Sequence, residues 1–333
     1  MGHSGRDRPP GRAALGRPGW TEVGGTGRLL GGTAPGGTGP ALAVPVTSAG
    51  RAGYGRGWGD VWRRFRRDRT AMAGLVFIGL VVVAAALAPL VTPADPLSVP
   101  RGSRGLSPPS LDHWFGTDVL GRDLFTRVVY GARVSLAIAG LAVAIACAIA
   151  LLVGTAAGYL GGTPAAVLMR TTDVFLSFPV LLAALVVITV AGRGPLTIVA
   201  VLALLGWMPM ARLLRAGVLA EKGAAYVEAA RAAGGSHWRL AVHHILPNAI
   251  GPVVVYATIF LGTAVLSEAG LSFLGVGVMP PTPSWGAMVA EGRSVLTTNP
   301  HVVLFPAGAI ALTVLAFVFV GDGLRDALDP RDR

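Results

Sequence analysis

The stretch Val134–Leu160, VSLAIAGLAVAIACAIALLVGTAAGYL, decides the fold class of this chain. It contains no Asp, Glu, Lys or Arg over 27 consecutive residues. A helix needs roughly 20 mostly apolar residues to cross a hydrocarbon core of about 30 Å. The stretch is longer than this and therefore predicts a transmembrane helix.

Five other uncharged runs of suitable length occur along the chain. They are Ala71–Val91, Val174–Gly192, Gly194–Ala211, Ile245–Ser267 and Val302–Gly321. A seventh run, Ala269–Ala290, holds three prolines and four glycines, and lipid cannot satisfy the backbone groups that such residues expose. We place this run outside the membrane. The pattern predicts an all-α integral membrane protein with six transmembrane helices.

The composition agrees with a membrane protein. Of the 333 residues, 53% are hydrophobic and only 14% are charged, whereas soluble domains carry about 25% charged residues. The net charge is +11, and the basic residues cluster beside apolar runs. Five of them directly precede the first run: Arg63, Arg64, Arg66, Arg67 and Arg69. Such clusters indicate membrane orientation rather than nucleic-acid binding.

The charge bias also predicts the arrangement of the chain across the membrane. Segments rich in Lys and Arg stay on the cytoplasmic side, which places both ends of the chain there (N-in, C-in). The predicted layout starts with a disordered Gly-, Pro- and Arg-rich tail at 1–50 and a basic cytoplasmic juxtamembrane segment at 51–70. The first transmembrane helix at 71–91 and an external loop at 92–133 follow. The chain then forms a transmembrane core at 134–321 and ends in a cytoplasmic tail at 322–333.

Several classes of catalytic site lack the residues that they need. Cys147 is the only cysteine, which excludes a disulfide framework. Neither an HExxH motif nor a GxSxG motif is present, so an intramembrane hydrolase is disfavoured. Lys222 is the only lysine and no glycine-rich phosphate loop precedes it. His243 and His244 are adjacent and cannot form the i, i+4 pair that binds zinc on a helix. We expect no catalytic residue, no metal site and no bound cofactor in this chain.

The longest polar insertion on the predicted cytoplasmic side is the segment 212–244. Its length exceeds what a simple connection requires. Good helix formers at Ala224–Ala233 predict two short helices that are broken at Gly234 and Gly235, and Pro247 opens the next span. Residues Glu228-Ala229-Ala230, Gly234 and His244-Ile245-Leu246-Pro247-Asn248 resemble the EAA signature of bacterial ABC importer permeases.

In that family the signature segment is a coupling helix that docks in a groove of a cytoplasmic ATPase. The resemblance therefore implies a role in ATPase coupling for the matching positions of this chain. These positions are Tyr226, Glu228, Ala229, Ala230, Arg231, Gly234, Leu246 and Pro247.

Further motifs are similar to those of one branch, the C-type subunit of dipeptide and oligopeptide permeases. They occur in the same order from about Trp58 to Pro330, and they are Gly116-Thr117-Asp118, Leu120-Gly121-Arg122-Asp123, Tyr130-Gly131-Ala132-Arg133-Val134-Ser135-Leu136, Tyr226-Val227-Glu228-Ala229-Ala230-Arg231-Ala232, Leu271-Ser272-Phe273-Leu274-Gly275, Pro280-Pro281-Thr282-Pro283-Ser284-Trp285-Gly286 and the segment from Gly321-Asp322-Gly323-Leu324 to Pro330.

The resemblance implies a peptide importer of the cytoplasmic membrane that works by alternating access. Its implied partners are a homologous B-type permease subunit, two cytoplasmic ATPase subunits that bind ATP and Mg, and an extracellular or periplasmic solute-binding protein. A nickel chelate or another small solute is an alternative cargo. A secondary transporter driven by an ion gradient is the other alternative, although the spans are nearly free of the midspan charges typical of that class.

Two acidic residues are candidates for gating or for lining the pathway. Asp173 precedes the third predicted span, and it either has this role or pairs with Arg170 on a helix surface. Glu268 follows the fifth span, and it either contacts the cargo or has a hydrogen-bonded structural role. We also expect 271–300 to form an external re-entrant or cap-like segment that meets the solute-binding protein, with Ser284 accessible from outside.

Overall fold

The computed structural model describes residues 58–99, 105–176 and 179–328, and the tail predicted to be disordered lies outside these ranges. Within them the chain is helical and contains no β-strand, apart from an isolated bridge between Thr117 and Asp123. Five of the described helices have the length and apolar composition that are needed to cross a membrane. The predicted fold class, an all-α membrane protein, is therefore confirmed.

The first three helices are α1 (Trp58–Phe65), α2 (Arg69–Ala86) and α3 (Ala88–Val91). Asp68 caps α2, because its Oδ1 accepts hydrogen bonds from Thr70 N at 2.8 Å and Ala71 N at 3.2 Å. The Thr70 hydroxyl also donates to this carboxylate, and its hydrogen bond is the largest cause that lowers the pKa of Asp68. The first span thus begins two residues before the predicted boundary.

The second spanning helix, α4 (Leu124–Leu160), has 37 residues and begins ten residues before the predicted span. Its N-terminus is capped by Asp123, which accepts a hydrogen bond from Thr126 N at 2.8 Å. At a rise of 1.5 Å per residue the helix is about 55 Å long, so it extends well beyond a hydrocarbon core of about 30 Å.

The third predicted span, 174–192, is not one helix. Val174 belongs to α5 (Gly162–Leu176), whereas α6 (Val180–Ala191) starts after Pro179. Pro179 stands directly before α6, where the missing N–H of proline costs no helical hydrogen bond. The 12 residues of α6 extend only about 18 Å. The sixth transmembrane segment therefore stays a prediction.

The remaining helices complete the bundle. They are α7 (Pro195–Lys222), α8 (Ala225–Ala232), α9 (His237–Arg239), a π-helix (Leu240–Ile245), α10 (Leu246–Ala249), α11 (Gly251–Phe273), α12 (Trp285–Gly292) with a 3₁₀ turn (Arg293–Val295), and α13 (His301–Leu328). The helices α7, α11 and α13 are the other three of spanning length. Helix α7 extends 11 residues past the predicted end of the fourth span, and α11 begins six residues after the predicted start of the fifth.

Helices α4 and α7 pack closely through two glycines spaced four residues apart. A Cβ atom at Gly154 would lie 2.7 Å from the carbonyl oxygen of Ala211, and one at Gly158 would lie 2.6 Å from Cγ1 of Val218. Small residues at this spacing let the backbones of two membrane helices approach. Since both glycines face α7, they serve packing within this chain.

The Pro-rich run 269–290 begins in the last turns of α11, so its first five residues belong to a helix of spanning length. The run ends within the short buried helix α12. Trp285 is 1% exposed, and its Nε1 donates a hydrogen bond to the Val128 carbonyl of α4 at 2.9 Å. Helix α12 also packs against α11 and α13. Ser284 caps α12 and is fully buried, so the expectation that it is accessible is wrong. The segment folds back onto the bundle because the indole and the backbone N–H of Trp285 both donate hydrogen bonds to α4.

Candidate functional site

Helix α8 ends in a tight turn at Gly234, as the sequence predicts. Gly234 N donates to the Arg231 carbonyl and Gly235 N donates to the Ala230 carbonyl, both at 3.0 Å. These two bonds form a Schellman motif, in which the residue after the C-cap adopts a left-handed conformation. Gly234 has φ +83°, which glycine adopts without steric cost.

Tyr226 connects α8 to its neighbouring helices. Its hydroxyl lies 2.6 Å from Oε2 of Glu221 at the end of α7, and it accepts a hydrogen bond from Nδ2 of Asn248 on α10 at 3.1 Å. The same Asn248 amide donates to the His244 carbonyl at 2.7 Å. Beside Tyr226, Val227 is fully buried in the main hydrophobic core. Helix α8 is thus fixed to α7, which precedes it in sequence, and to α10, which follows after α9 and the π-helix.

A second set of contacts joins the predicted cytoplasmic end of α4 to the same region. Lys222 Nζ donates to the Tyr159 carbonyl at 2.6 Å and lies 5.3 Å from the centroid of the Tyr159 ring. The Tyr159 hydroxyl lies 2.8 Å from Nδ1 of His237 at the start of α9. The C-terminal ends of α4 and α7 therefore contact each other and the segment after α8.

The outer face of helix α8 carries three of the eight residues that the resemblance singles out. Glu228, Ala229 and Arg231 are exposed on α8, while Ala230 is half-buried. The remaining two lie on α10, where Leu246 is half-buried and Pro247 is exposed. The fold thus brings the α8 positions into one surface, and it places the two α10 positions after the π-helix.

One exposed aromatic residue of the segment after α8 was missed by the sequence analysis. Trp238 on α9 is 74% exposed. A large aromatic side chain in such a position is typical of an anchor residue at a protein–protein interface. Its position four residues after Gly234 is the sequence signal that could have identified it.

Glu268, a candidate for gating, is completely buried where α4, α11 and α12 meet. Its Oε2 accepts from the Ser135 hydroxyl at 2.9 Å, and its Oε1 accepts from the Ser272 hydroxyl at 2.8 Å. Ser284, also fully buried, lies close to this carboxylate. In this conformation Glu268 has the hydrogen-bonded structural role, and its part in gating stays a prediction.

Asp173 forms an ion pair with Arg212 of α7 rather than with Arg170. Both side chains are about half exposed. The expected pairing three residues apart along one helix is therefore wrong. The reason is that the packing of α5 against α7 brings a residue 39 positions away within reach.

A cluster of four charged side chains connects the loop before α4 to α12. Arg122 Nε lies 2.7 Å from Oδ2 of Asp118, and its Nη2 lies 3.1 Å from Oε2 of Glu291. Arg127 pairs with Asp118 and also lies 2.7 Å from Glu291. Arg127 is 1% exposed and Asp118 is equally buried. Sequence motifs pointed to Asp118 and Arg122, but Arg127 and Glu291 were missed because they lie 164 residues apart.

No group of three metal-binding side chains occurs in the described parts of the chain. His113 has one acidic neighbour, with its Nδ1 2.9 Å from Oδ1 of Asp123. One carboxylate and one imidazole are fewer than the three or four protein ligands that zinc sites use. That pair therefore orients the loop before α4 and gives no reason to place a metal there.

Cysteine labelling tests the predicted orientation of the segment before α12. Thr282 is exposed, whereas Ser284 two residues later is fully buried. With Cys147 replaced by Ala, we expect Thr282→Cys to react with a membrane-impermeant thiol reagent added outside intact cells. The matched Ser284→Cys variant should stay unlabelled until the protein is denatured. Labelling of Thr282→Cys only in inside-out vesicles would contradict the predicted topology.

Comparisons with known proteins cover nearly all of the described chain. A family model described as the binding-protein-dependent transport system inner membrane component matches residues 150–333. A model of the N-terminal transmembrane domain of oligopeptide transport permease C matches residues 57–109.

Individual relatives agree with these family models. The glutathione transport system permease protein GsiD of Escherichia coli O6:K15:H31 (strain 536 / UPEC) is 44% identical over 274 residues, which are 82% of this chain and 90% of that protein. The GsiD proteins of Shigella boydii serotype 4 (strain Sb227) and Shigella sonnei (strain Ss046) match to the same extent. The chain therefore belongs to the family of binding-protein-dependent inner membrane transport components, as a multi-pass ABC importer permease of the oligopeptide and dipeptide branch.

Proposed function

We propose that this chain forms, with a homologous B-type permease subunit, the pathway by which small peptides enter the cell, powered by two separate ATPase subunits. The observation that carries the proposal is the helix-turn segment formed by α8 and α9. It presents exposed charged and aromatic side chains while its inner face is fixed to the spanning helices. A segment whose outer face is exposed to a partner and whose inner face contacts the spanning helices is suited to transmit a movement of that partner to these helices.

The contacts of this segment support a specific route for that movement. Tyr226 joins α8 to Glu221 of α7 and Asn248 of α10, and Tyr159 of α4 contacts both Lys222 and His237. A displacement of α8 by an ATPase would therefore pull on α4, α7 and α10 together. Opening of the pathway toward the outside is the proposed result, since interfaces of packed helices shift between discrete arrangements.

The proposed ATPase contact surface comprises Glu228, Ala229, Arg231 and Trp238. Ala229 is small and exposed, so a partner backbone can approach α8 closely at that position. Tyr226, Ala230, Gly234, Leu246 and Pro247 support this surface from within or behind the turn. ATP and Mg are proposed to bind only to the ATPase subunits, and an extracellular or periplasmic solute-binding protein is proposed to deliver the cargo.

The names of the relatives support a peptide cargo. They are glutathione transport permeases, and glutathione is a small peptide. At 44% identity the cargo of this chain need not be the same one, so we propose small peptides as the class. Nickel chelates remain the competing cargo, and direct competition for uptake distinguishes the two.

The experiment is uptake of a labelled small peptide by proteoliposomes. The chain alone should bind no ATP and move no peptide. Co-reconstitution with a B-type permease, the ATPases and a solute-binding protein should give uptake that depends on ATP. A dipeptide or glutathione should compete for uptake, whereas a nickel chelate should not. Peptide uptake by the chain alone, driven by a proton or sodium gradient, would instead indicate a secondary transporter and contradict the proposal.

A further inference from the structure

Helix α1 is amphipathic and is held in place by its apolar side. Val61 and Phe65 are 7% and 5% exposed, and they form a small cluster with Ala71 and Ala327. Gly323 makes this packing possible, because a Cβ atom there would lie 3.2 Å from Oδ2 of Asp68 and would collide with Ala71. The helix is therefore fixed against the last turns of α13.

The opposite side of α1 and the turn after it are strongly basic. Arg63, Arg66, Arg67 and Arg69 are exposed and Arg64 is half-buried. Arg63 pairs with Asp60, but within the described ranges no carboxylate lies within ion-pair distance of the other four arginines. Residues 58–70 hold five arginines and two aspartates, a net charge of +3. The exposed Asp322, Arg325 and Asp326 on the adjacent end of α13 change this balance by −1.

The position of these arginines along the chain sets their level relative to the membrane. Arg69 is the first residue of the spanning helix α2, so Arg66 and Arg67 lie less than one turn before the span. Trp62 on the same short helix is 48% exposed and stacks on Phe65 with ring centroids 5.8 Å apart. Tryptophan is enriched where headgroups meet acyl chains, and such a half-covered indole fits that boundary.

We propose that Arg64, Arg66, Arg67, Arg69 and Trp62 form a docking surface for anionic phospholipids, here called the α1 basic surface. A guanidinium binds a phosphate oxygen pair with two parallel hydrogen bonds, which suits a phosphodiester headgroup. The indole contacts the glycerol and upper acyl region of the same lipid. A phospholipid therefore satisfies both the basic and the aromatic parts of the surface, whereas a soluble anion satisfies only the first.

Fixation of α1 on α13 makes this surface different from a flexible basic tail. Because Val61 and Phe65 hold the helix in place, the backbone that carries the arginines does not have to be ordered when a lipid binds. Lipid binding would also stabilise the junction of α1, α2 and α13. The expected specificity is for net negative headgroups, such as phosphatidylglycerol, over zwitterionic phosphatidylcholine.

Native mass spectrometry of the purified full chain, titrated with phosphatidylglycerol or phosphatidylcholine, tests the proposal. The variant Arg64→Gln/Arg66→Gln/Arg67→Gln should raise the apparent Kd for phosphatidylglycerol at least about tenfold, since each basic residue at an anionic surface contributes about fivefold before screening. The variant with Lys at the same three positions should bind more tightly than the Gln variant and less tightly than the unchanged chain, because it retains the charge and loses the paired hydrogen bonds.

A matched control removes three exposed arginines from the predicted opposite side of the membrane, in Arg133→Gln/Arg193→Gln/Arg293→Gln. It has the same change in net charge and should bind phosphatidylglycerol as the unchanged chain does. The Gln variant should unfold on heating with the same Tm as the unchanged chain, which would show that it is folded. Equal losses in both triple variants, or a Gln variant of the α1 basic surface that keeps its affinity for phosphatidylglycerol, would overturn the proposal. Displacement of the lipid by millimolar inorganic phosphate would also overturn it.

Discussion

Gly234→Val is expected to abolish ATP-driven peptide uptake while the transmembrane helices remain inserted. Gly234 has φ +83°, and a β-branched residue is strained by about 1 to 3 kcal/mol in that conformation. Relief of this strain would break the two hydrogen bonds that end α8 and would turn the segment carrying Trp238 away from α8. Uptake should fall at least about tenfold, and the ATPases should no longer copurify with the permease or should hydrolyse ATP without transport.

A second glycine provides a matched control for this effect. Gly192, which ends α6, has φ +92°, and a Cβ atom would meet nothing within 4 Å at either Gly192 or Gly234. Gly192→Val therefore introduces comparable backbone strain in a loop that is predicted to be external. It should retain uptake and ATPase copurification. Normal coupled transport by Gly234→Val would remove the proposed role of the turn.

Arg127→Met is expected to destabilise the fold more than any change at a surface ion pair. Arg127 is 1% exposed and bridges Asp118 and Glu291, so its loss leaves two carboxylates with only Arg122 between them. Removal of one member of a buried charge cluster costs about 3 to 5 kcal/mol. We expect the apparent Tm in detergent to fall by at least about 5 °C.

The control is Arg63→Met, which removes the exposed pair between Arg63 and Asp60. The Arg63 side chain is 78% exposed, and an exposed ion pair contributes about 0 to 1 kcal/mol. Its Tm should therefore stay close to that of the unchanged chain. A similar small change for Arg127→Met would mean that the cluster contributes little to holding α12 against α4.

Much of the helical bundle could be predicted from the uncharged runs, because five of them coincide with helices of spanning length. The boundaries could not be predicted, and α4 shows why. An uncharged run must stop at Arg133, yet the helix begins at Leu124 and includes Arg127. The charge of Arg127 is tolerated because Glu291 lies beside it, and a pairing over 164 residues leaves no local pattern in the sequence.

In the candidate site, too, features set by neighbouring residues could be predicted, whereas contacts between residues far apart in sequence could not. The turn at Gly234 could be predicted because glycine punctuation and the end of a helix are local features. The hydrogen bonds of Tyr226 to Glu221 and Asn248 could not, since they depend on how α7 and α10 are placed around α8. Likewise, the buried hydrogen bond of Glu268 to Ser135 depends on how α4 packs against α11, because Ser135 is 133 residues away in sequence.

The length of α4 gives it the properties of a lever arm. One end carries Arg127 in the charged cluster with Glu291, and the other end carries Tyr159, which accepts the hydrogen bond from Lys222. A rigid rod of about 55 Å that tilts by about 5° around its midpoint moves each end by about 2.4 Å, in opposite directions. A push on the Tyr159 end would therefore reach the charged cluster on the far side as a displacement comparable to the length of a hydrogen bond.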